Sequence, residues 1–257
     1  MDFHKQRIAY LTIVRKEVNR FLRIWSQTLL PPIITQTLYF VIFGKFIGAQ
    51  ISGIQGISYM SFIVPGLVMM AVINNSFANV AGSFFSSKFQ HSIEELLVSP
   101  ASNSVIILGY ITGGILRGIA VGILVFFVSM FFTHPQIHNL GLIAVFIILT
   151  SIVFSLGGLI NAIFAKKFDD ISIFPTFVLT PLTYLGGVFY SIHSLPPVWQ
   201  QISKLNPILY MVNGFRYGFY GFSDVSVGMS LFILVVLTIF LSWISARLLK
   251  SGIGLKA

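Results

Sequence analysis

Charged residues are scarce in this chain. Lys and Arg number 16 and Asp and Glu only 7 in 257 residues, so 9% of the sequence is charged. Soluble globular domains contain about 25% charged residues, which excludes that class. The mean hydropathy is +0.90, and charge-free runs such as 46–87 exceed the ~20 residues that cross a bilayer. We predict an all-α integral membrane protein, because the strands of a β-barrel would alternate in segments of ~10 residues.

Further absences limit the chemistry. There is no cysteine, which excludes disulfides and thiolate metal sites. No phosphate-binding loop of the form GxxxxGK[ST] occurs, so the chain cannot use ATP alone and we expect it to bind no cofactor or metal. The apolar segments contain no Asp or Glu, and Lys only as Lys45 at one end. This pattern disfavours ion-coupled transport and intramembrane hydrolysis, which both need ionisable groups within the membrane.

Residues 1–25 form a basic amphipathic segment. Its six basic residues are Lys5, Arg7, Arg15, Lys16, Arg20 and Arg23. Apolar residues recur at helical spacing, at Ile8, Leu11, Val18, Phe21, Leu22 and Trp25. We predict a helix in the membrane interface, with its apolar face in lipid and its cations toward anionic headgroups. A nucleic-acid-binding arm would leave the apolar stripe exposed, so we expect no nucleic-acid partner. No small-residue cleavage site follows, which favours a retained signal anchor.

Six apolar segments follow in residues 26–257, which we predict to form one transmembrane domain. The predicted spans are 27–47, 60–85, 104–131, 140–164, 171–190 and 227–248. Twelve basic residues fall on the side of the amino-terminal helix, namely its own six together with Lys88, Lys166, Lys167, Arg247, Lys250 and Lys256. Three fall on the other side, namely Lys45, Lys204 and Arg216. Basic residues are enriched in cytoplasmic segments, so we predict that both termini are cytoplasmic.

Two of the connections are unusual. Residues 88–100 form a short amphipathic segment with Glu94 and Glu95 on the side assigned to the cytoplasm. It is either an ordinary interfacial loop helix that closes the bundle or a surface for a protein partner, because anionic headgroups repel carboxylates. On the opposite side, 191–226 is rich in aromatic residues and proline. We predict a re-entrant hairpin in the outer interface, made of a helix from Pro197 to Lys204 and another from Pro207 to about Phe219.

Polar residues within the spans are candidates for a substrate path. Arg117 is ionisable and deep in a span, where a charge is expensive unless it is paired or hydrated. It is either a functional group or an arginine that bonds buried amides and carbonyls. Asn74, Asn75 and Asn79 must also face protein or a polar cavity, and helix–helix hydrogen bonding is the alternative to a path. Close helix packing, within the chain or between two copies, is predicted by Gly109, Gly113, Gly114, Gly118 and Gly122.

A spaced pattern runs from span five into the aromatic hairpin. Its positions are Leu179, Leu182, Leu185, Gly186, Val188, Leu195, Pro196, Pro207, Ile208, Tyr210 and Arg216. This pattern resembles the signature of the ABC-2 type export permease family. The stretches SFIVPGLVMM, EELLVSP, FDDIS and PTFVLTPLTYLGGVFYS look like those of small bacterial inner-membrane permeases in that family. The likeness covers the whole chain, from the amphipathic amino-terminal helix to the last span.

The resemblance implies the membrane subunit of an exporter in a bacterial inner membrane. A second copy of the chain would complete the permease, and two copies of a separate cytoplasmic ATP-binding subunit would bind ATP and Mg²⁺. A coupling helix at about 88–100 would contact that subunit through Phe89, Gln90, His91, Ile93, Glu94, Glu95, Leu96 and Leu97. An outer gate or exit rim would contain Tyr210, Arg216 and Tyr217. Residues that line the path would include Asn74, Asn75, Asn79 and Arg117.

The resemblance also limits the cargo to a broad class. An amphiphilic, lipid-like or drug-like molecule is expected to move outward, and a polysaccharide or glycolipid is the second option. Outside this family, the alternative is an ATP-independent transporter or a membrane scaffold protein. The scarcity of ionisable groups in the spans disfavours ion coupling.

Overall fold

In the computed structural model, which describes residues 3–51, 53–54 and 56–254, the chain is helical and the described residues form no β-strand. Lys256, counted above among the basic residues, lies outside the described residues. The α-helices are α1 (Phe3–Arg23), α2 (Trp25–Thr28), α3 (Leu30–Tyr39), α4 (Tyr59–Phe89), α5 (Ser92–Val98), α6 (Asn103–Ser129), α7 (Leu140–Phe164), α8 (Phe168–Phe174), α9 (Thr180–Tyr184), α10 (Pro197–Lys204), α11 (Pro207–Tyr220) and α12 (Val227–Ser251).

Five helices in the described residues are long and apolar enough to cross a membrane. They are Trp25–Gln50, Tyr59–Phe89, Asn103–Ser129, Leu140–Phe164 and Val227–Ser251. The first joins α2 and α3 to a π-helical segment, Phe40–Ile47, and a short 3-10 turn. These helices correspond to the first four predicted spans and the last, so the prediction of an all-α integral membrane protein is confirmed.

The predicted span at 171–190 corresponds to a short helix with a π-helical turn in its middle. It consists of α8, a π-helical turn (Pro175–Leu179) and α9, of 7, 5 and 5 residues in succession. At 1.5 Å per residue this path is roughly 25 Å long, shorter than the ~30 Å hydrocarbon core. Pro175 and Pro181 have no N–H for the helical ladder, and Gly187 then turns the chain with φ 73°. The structure therefore does not confirm the predicted count of six spans.

The centre of the fold is α4, which is almost entirely buried and packs chiefly against α6 and α7. Each of the long helices after the first begins at a polar residue whose side chain accepts a backbone N–H of the first turn. Ser58 caps α4, Ser102 caps α6, Asn139 caps α7 and Ser226 caps α12. Capping satisfies one of the donors that a helix start leaves unpaired, so these residues fix where the helices begin.

The glycines of α6 allow close packing inside the chain. A Cβ on Gly109 would lie 2.6 Å from Ile13 of α1, and one on Gly122 would lie 2.8 Å from Val72 of α4. Gly114 and Gly118 face serines of α7 and α4 at similarly short range. In lipid there is no hydrophobic driving force between helices, so they associate through close packing of their backbones at small residues. Of the two predicted uses of these glycines, the structure shows packing within the chain.

The amino-terminal helix α1 packs along α6. Its buried residues are Ile13, Glu17 and Phe21, whereas Ile8 and Leu22 from the predicted apolar stripe remain about half exposed. The helix thus has a face against the bundle, which the sequence prediction did not include, and a separate exposed apolar face. The exposed face is the one that remains for lipid.

Candidate functional site

The short helix α5 is held to the bundle by its apolar side chains. Ile93 is 1% exposed, and Leu96 and Leu97 pack against the same cluster of buried residues. Glu94 and Glu95 are exposed, and the Glu94 carboxylate lies 3.2 Å from the Nδ1 of His91. The two carboxylates are therefore accessible to solvent, while the apolar face is already occupied by the chain's own residues.

The turn into α5 is sharp because His91 adopts the left-handed conformation, with φ 57°. Only Gln90 and His91 separate α4 from α5. Phe89 therefore ends α4 and does not share the buried face of Ile93. Its ring is 58% exposed and packs 5.0 Å from the ring of Phe168. The Gln90 amide donates to Ser86 Oγ.

The end of the α5 segment is tied to α1. The side chain of Gln6 donates to the carbonyl of Pro100 at 2.8 Å and accepts from the N–H of Ser102 at 2.9 Å. A groove of about 290 Å³ lies between the two helices, with Lys16 of α1 and Glu95 of α5 in its lining. The α5 segment is thus connected to α4 at one end and to α1 at the other.

A buried ionic cluster joins α1 to α4. The Glu17 side chain is fully buried, and its carboxylate lies 3.0 Å from Nη2 of Arg20. Ser83 Oγ donates to the same carboxylate and Asn79 Nδ2 lies 3.4 Å from it. Arg20 also donates to Asn79 Oδ1 at 2.8 Å. A buried charge is tolerated only when it is paired and hydrogen-bonded in this way.

A second hydrogen-bonded group surrounds Arg117 on α6. Its Nη2 donates to Asn75 Oδ1 at 3.1 Å and to the carbonyl of Thr28 at 3.2 Å. Asn75 in turn donates to the carbonyl of Ala71 in its own helix. Arg117 thereby links the first, second and third membrane helices, and within the described residues it forms no ion pair with a carboxylate. These are the contacts expected under the second interpretation given above, an arginine that bonds a buried amide and a carbonyl, and they do not test a role in transport.

The four residues predicted to line a path fall into different hydrogen-bonded groups. Asn79 belongs to the Glu17 cluster, whereas Asn75 and Arg117 form the separate group. Asn74 donates to the carbonyl of Met70 in its own helix and is half-buried. Their role in transport stays a prediction.

The predicted outer hairpin contains α10 and α11, with boundaries within one residue of the prediction. Arg216 on α11 is fully buried. Its Nη2 donates to the carbonyl of Gly187 at 2.7 Å, and its guanidinium lies 3.9 Å from the ring centroid of Phe62 on α4. Arg216 thus holds the turn after α9 against α4 and lies below the surface of the hairpin.

The two tyrosines predicted beside Arg216 are nearer the surface. Tyr210 OH donates to the carbonyl of Lys204 at 2.8 Å, which closes the α10–α11 turn. Tyr217 is half-buried, and its ring meets that of His138 edge-on. The three gate residues therefore lie on one helix at different depths, and their gating role stays a prediction.

Comparison with known proteins identifies the family. A profile of the ABC-2 type transporter family matches residues 8–220. The chain belongs to this family. It is 56% identical over 254 residues to the inner membrane transport permease YadH of Escherichia coli (strain K12), with 99% of both chains covered. Nodulation protein J of Rhizobium meliloti (strain 1021) is 21% identical over 246 residues, which cover 94% of this chain and 92% of that protein.

These matches confirm the resemblance inferred from the sequence and make this chain an ABC-2 permease of the inner membrane with several spans. The family implies an ATP-binding partner subunit. Among the described residues, no group of three or more metal-ligating side chains lies close enough to hold an ion. The features of the permease that remain to be explained are therefore surfaces and buried contacts.

Sequence reasoning missed Glu17, a carboxylate that is fully buried in the structure. It is not among the residues singled out in this segment, yet it stands four residues after Ile13 and four before Phe21, which places all three on one helical face. That spacing was the available signal. The carboxylate on an otherwise apolar face, with Arg20 three residues later, predicts a buried ion pair.

The FDDIS stretch of the permease has a local structural role. The carboxylate of Asp170 accepts the backbone N–H groups of Lys166 and Lys167 at 2.8 and 3.0 Å. These two donors lower the pKa of Asp170 from its ordinary value. Asp170 therefore stays ionised and fixes the turn between α7 and α8.

Proposed function

We propose that this permease is the membrane subunit of an ABC exporter and that a separate cytoplasmic ATP-binding subunit docks on α5. The observation that carries the proposal is the orientation of α5. Its apolar face is fixed to the bundle while Glu94 and Glu95 project into solvent. Carboxylates on the otherwise basic cytoplasmic side are repelled by anionic lipid and fit a partner with basic groups.

Transmission from this surface would follow α4. The docked subunit moves α5, and the two-residue turn at Gln90 and His91 passes the displacement to the central helix. The bonds of Gln6 to Pro100 and Ser102 carry the same displacement to α1, which the Glu17 cluster ties back to α4. The three helices would therefore move together when the ATP-binding subunit opens and closes.

In this proposal both termini are cytoplasmic, and the segment from α8 to α9 is the fifth span in chain order, which brings the total to six. Its short helical path is extended by the turn at Leu185–Gly187, and α10 and α11 form the re-entrant outer hairpin. Two copies of the permease would pair through their most exposed spans. Trp25–Gln50 and Val227–Ser251 are the least buried of the membrane helices in the described chain, which supports their use as that interface.

The cargo we favour is an amphiphilic, lipid-like or drug-like molecule, with a polysaccharide or glycolipid as the alternative. The outer hairpin supplies an aromatic surface at the exit, and Arg117 with its asparagine partner lies at mid-span. Transport of a panel of amphiphiles and glycans by the reconstituted permease and ATP-binding subunit tests this choice.

Charge reversal on α5 is expected to break docking. In the double variant Glu94→Lys/Glu95→Lys, the amount of ATP-binding subunit that co-purifies with the permease should fall by about tenfold or more relative to the wild type. Two charge-assisted contacts of 1.5–3 kcal/mol each are removed and replaced by repulsion. Co-purification from detergent, followed by ATPase activity in nanodiscs, measures this.

Two controls accompany the charge reversal. Glu94→Gln/Glu95→Gln keeps the shape and removes the charge, so it should weaken docking less. Asp169→Lys changes an exposed carboxylate on α8 and should leave docking intact. Normal docking and ATPase activity in the Lys double variant would mean that the carboxylates of α5 are not the contact.

Arg216→Ala is expected to reduce export while the ATP-binding subunit still co-purifies. The substitution releases the turn at Gly187 from α4, and this turn borders the proposed exit. Transport into vesicles and co-purification are measured on the same preparation, with Arg216→Lys as the variant that keeps the charge. If assembly is lost together with export, Arg216 is a folding anchor and not part of a gate.

A further inference from the structure

An apolar pocket lies between the end of α4 and the end of α7. Its volume is about 520 Å³, and its walls include the rings of Phe85, Phe89 and Phe164. Phe85 is buried, whereas Phe89 and Phe164 are 58% and 56% exposed. The pocket is therefore open at one side and lined by aromatic carbon, a surface that suits a hydrocarbon chain.

The rim of this pocket is cationic. The Lys88 ammonium donates to the carbonyls of Ile163 and Ala165 at 2.7 and 2.8 Å, and a third N–H remains because an ammonium has three donors. Lys166 is exposed at the rim, close enough for its charge to oppose that of Lys88. Within the described part of the chain neither lysine forms an ion pair. His91 also lines the pocket, and its partner there is Glu94.

We propose that this pocket binds an anionic phospholipid of the cytoplasmic leaflet, with the phosphate at Lys166 and Lys88 and an acyl chain against the three phenylalanine rings. The inference rests on the orientation given under the proposed function. Two ammonium groups that form no ion pair in the described residues attract an anion; the Asp170 carboxylate near Lys166 offsets only part of this charge. The rings at the same opening favour a hydrocarbon next to the anion. A lipid with a zwitterionic headgroup, such as phosphatidylcholine, would bring its own ammonium group toward the two lysines. The pocket should therefore prefer a lipid with net negative charge.

An acidic protein segment is a poorer occupant of this pocket. Such a segment would place backbone N–H and C=O groups against aromatic rings that offer no hydrogen bonds, which costs free energy. The lipid tail has no polar group to bury. The chemistry of the walls therefore favours the lipid, although the pocket lies beside the proposed docking helix.

The test uses two neighbouring lysines. Lys166 lines the pocket, whereas Lys167 is equally exposed and does not line it, so Lys166→Gln and Lys167→Gln change the net charge equally. Purified permease without the ATP-binding subunit is titrated in detergent with phosphatidylglycerol or phosphatidylcholine, and the rise in apparent Tm is recorded. Native mass spectrometry counts the lipids that stay bound.

We expect phosphatidylglycerol, and not phosphatidylcholine, to stabilise the wild type and Lys167→Gln. Lys166→Gln should need about five times more phosphatidylglycerol for the same effect, since one lysine near a lipid surface contributes ~1 kcal/mol. Phe164→Ala removes a wall and should weaken binding without changing the charge. Equal responses to the two lipids, or equal losses in the two lysine variants, would overturn the proposal.

The outcome can be distinguished from the outcome of the docking experiment. No ATP-binding subunit is present, so lipid binding can succeed when docking on α5 fails. If Lys166→Gln binds lipid normally but no longer retains the ATP-binding subunit, the pocket belongs to that partner and the lipid assignment is wrong.

Discussion

Glu17→Ala is expected to lower the apparent Tm of the permease by roughly 6–12 °C, which corresponds to about 3 kcal/mol at this chain length. The substitution removes a fully buried carboxylate and leaves Arg20, Ser83 and Asn79 without their shared acceptor. Breaking a buried pair costs more than the pair itself contributes, because one charge stays behind. The side chain of Arg20 is 28% exposed, so solvent offsets part of this cost and the lower end of the usual range applies.

Thermal unfolding in detergent, read by the loss of the monodisperse peak, measures the effect. Glu94→Ala is the matched control, because it removes an exposed carboxylate and should leave the Tm unchanged. The double variant Glu17→Met/Arg20→Met removes both charges and should recover part of the loss. Equal Tm values for Glu17→Ala and the wild type would show that the α1–α4 cluster does not hold the helices together.

Gly158→Ala is expected to separate α4 from α7, the most extensive helix pair in the described chain. A Cβ at this position would collide with the backbone carbonyl of Phe77 and lie 3.2 Å from the N–H nitrogen of Ala81. Backbone atoms of a central helix cannot rotate aside as a side chain can. Overpacking typically costs 1–3 kcal/mol, which exceeds the ~1 kcal/mol that alanine gains over glycine in a helix.

The neighbouring glycine supplies the control for this variant. A Cβ on Gly157 would lie 3.7 Å from the ring of Phe77, an ordinary contact, so Gly157→Ala should be neutral or slightly stabilising. Folded yield and apparent Tm of the two variants, expressed side by side, measure the difference. Similar values for both would contradict the close α4–α7 packing.

The long apolar helices could be predicted from the sequence because hydropathy and end signals agree. The prediction for α7 was 140–164, which is also its extent in the structure, and its start coincides with the cap at Asn139. The segment at 171–190 was harder to predict, because the effect of its prolines and glycines on helix geometry depends on the surrounding packing. Pro175 begins a π-helical turn, and α9 ends at Tyr184, before the turn in which Gly187 has a positive φ. Composition alone does not predict whether the resulting helix is long enough to cross the membrane.

The candidate site was only partly predictable, because some of its contacts are local in the sequence and others depend on how distant helices pack. The exposed carboxylates of α5 follow from local periodicity, since the neighbouring leucines and Ile93 define the buried face. The partners of Asn79 and Arg117 cannot be predicted in this way. Arg20 lies 59 residues from Asn79, and Thr28 lies 89 residues from Arg117. Their contacts depend on how α1 and the first span dock on α4 and α6. Sequence periodicity therefore predicts which face of a helix is buried, but the residues that contact this face depend on how the helices pack.

The most direct test of the proposed function is the accessibility of a single cysteine on α5. The chain contains no cysteine, so Glu95→Cys creates one labelling site, and Asp169→Cys on α8 creates a control. A membrane-impermeant maleimide is applied to inside-out and right-side-out vesicles, with and without the ATP-binding subunit. We expect both sites to react only in inside-out vesicles, and the subunit to protect Glu95→Cys by tenfold or more while Asp169→Cys stays reactive. Labelling from the outside, or equal labelling of Glu95→Cys with and without the subunit, would contradict docking on α5.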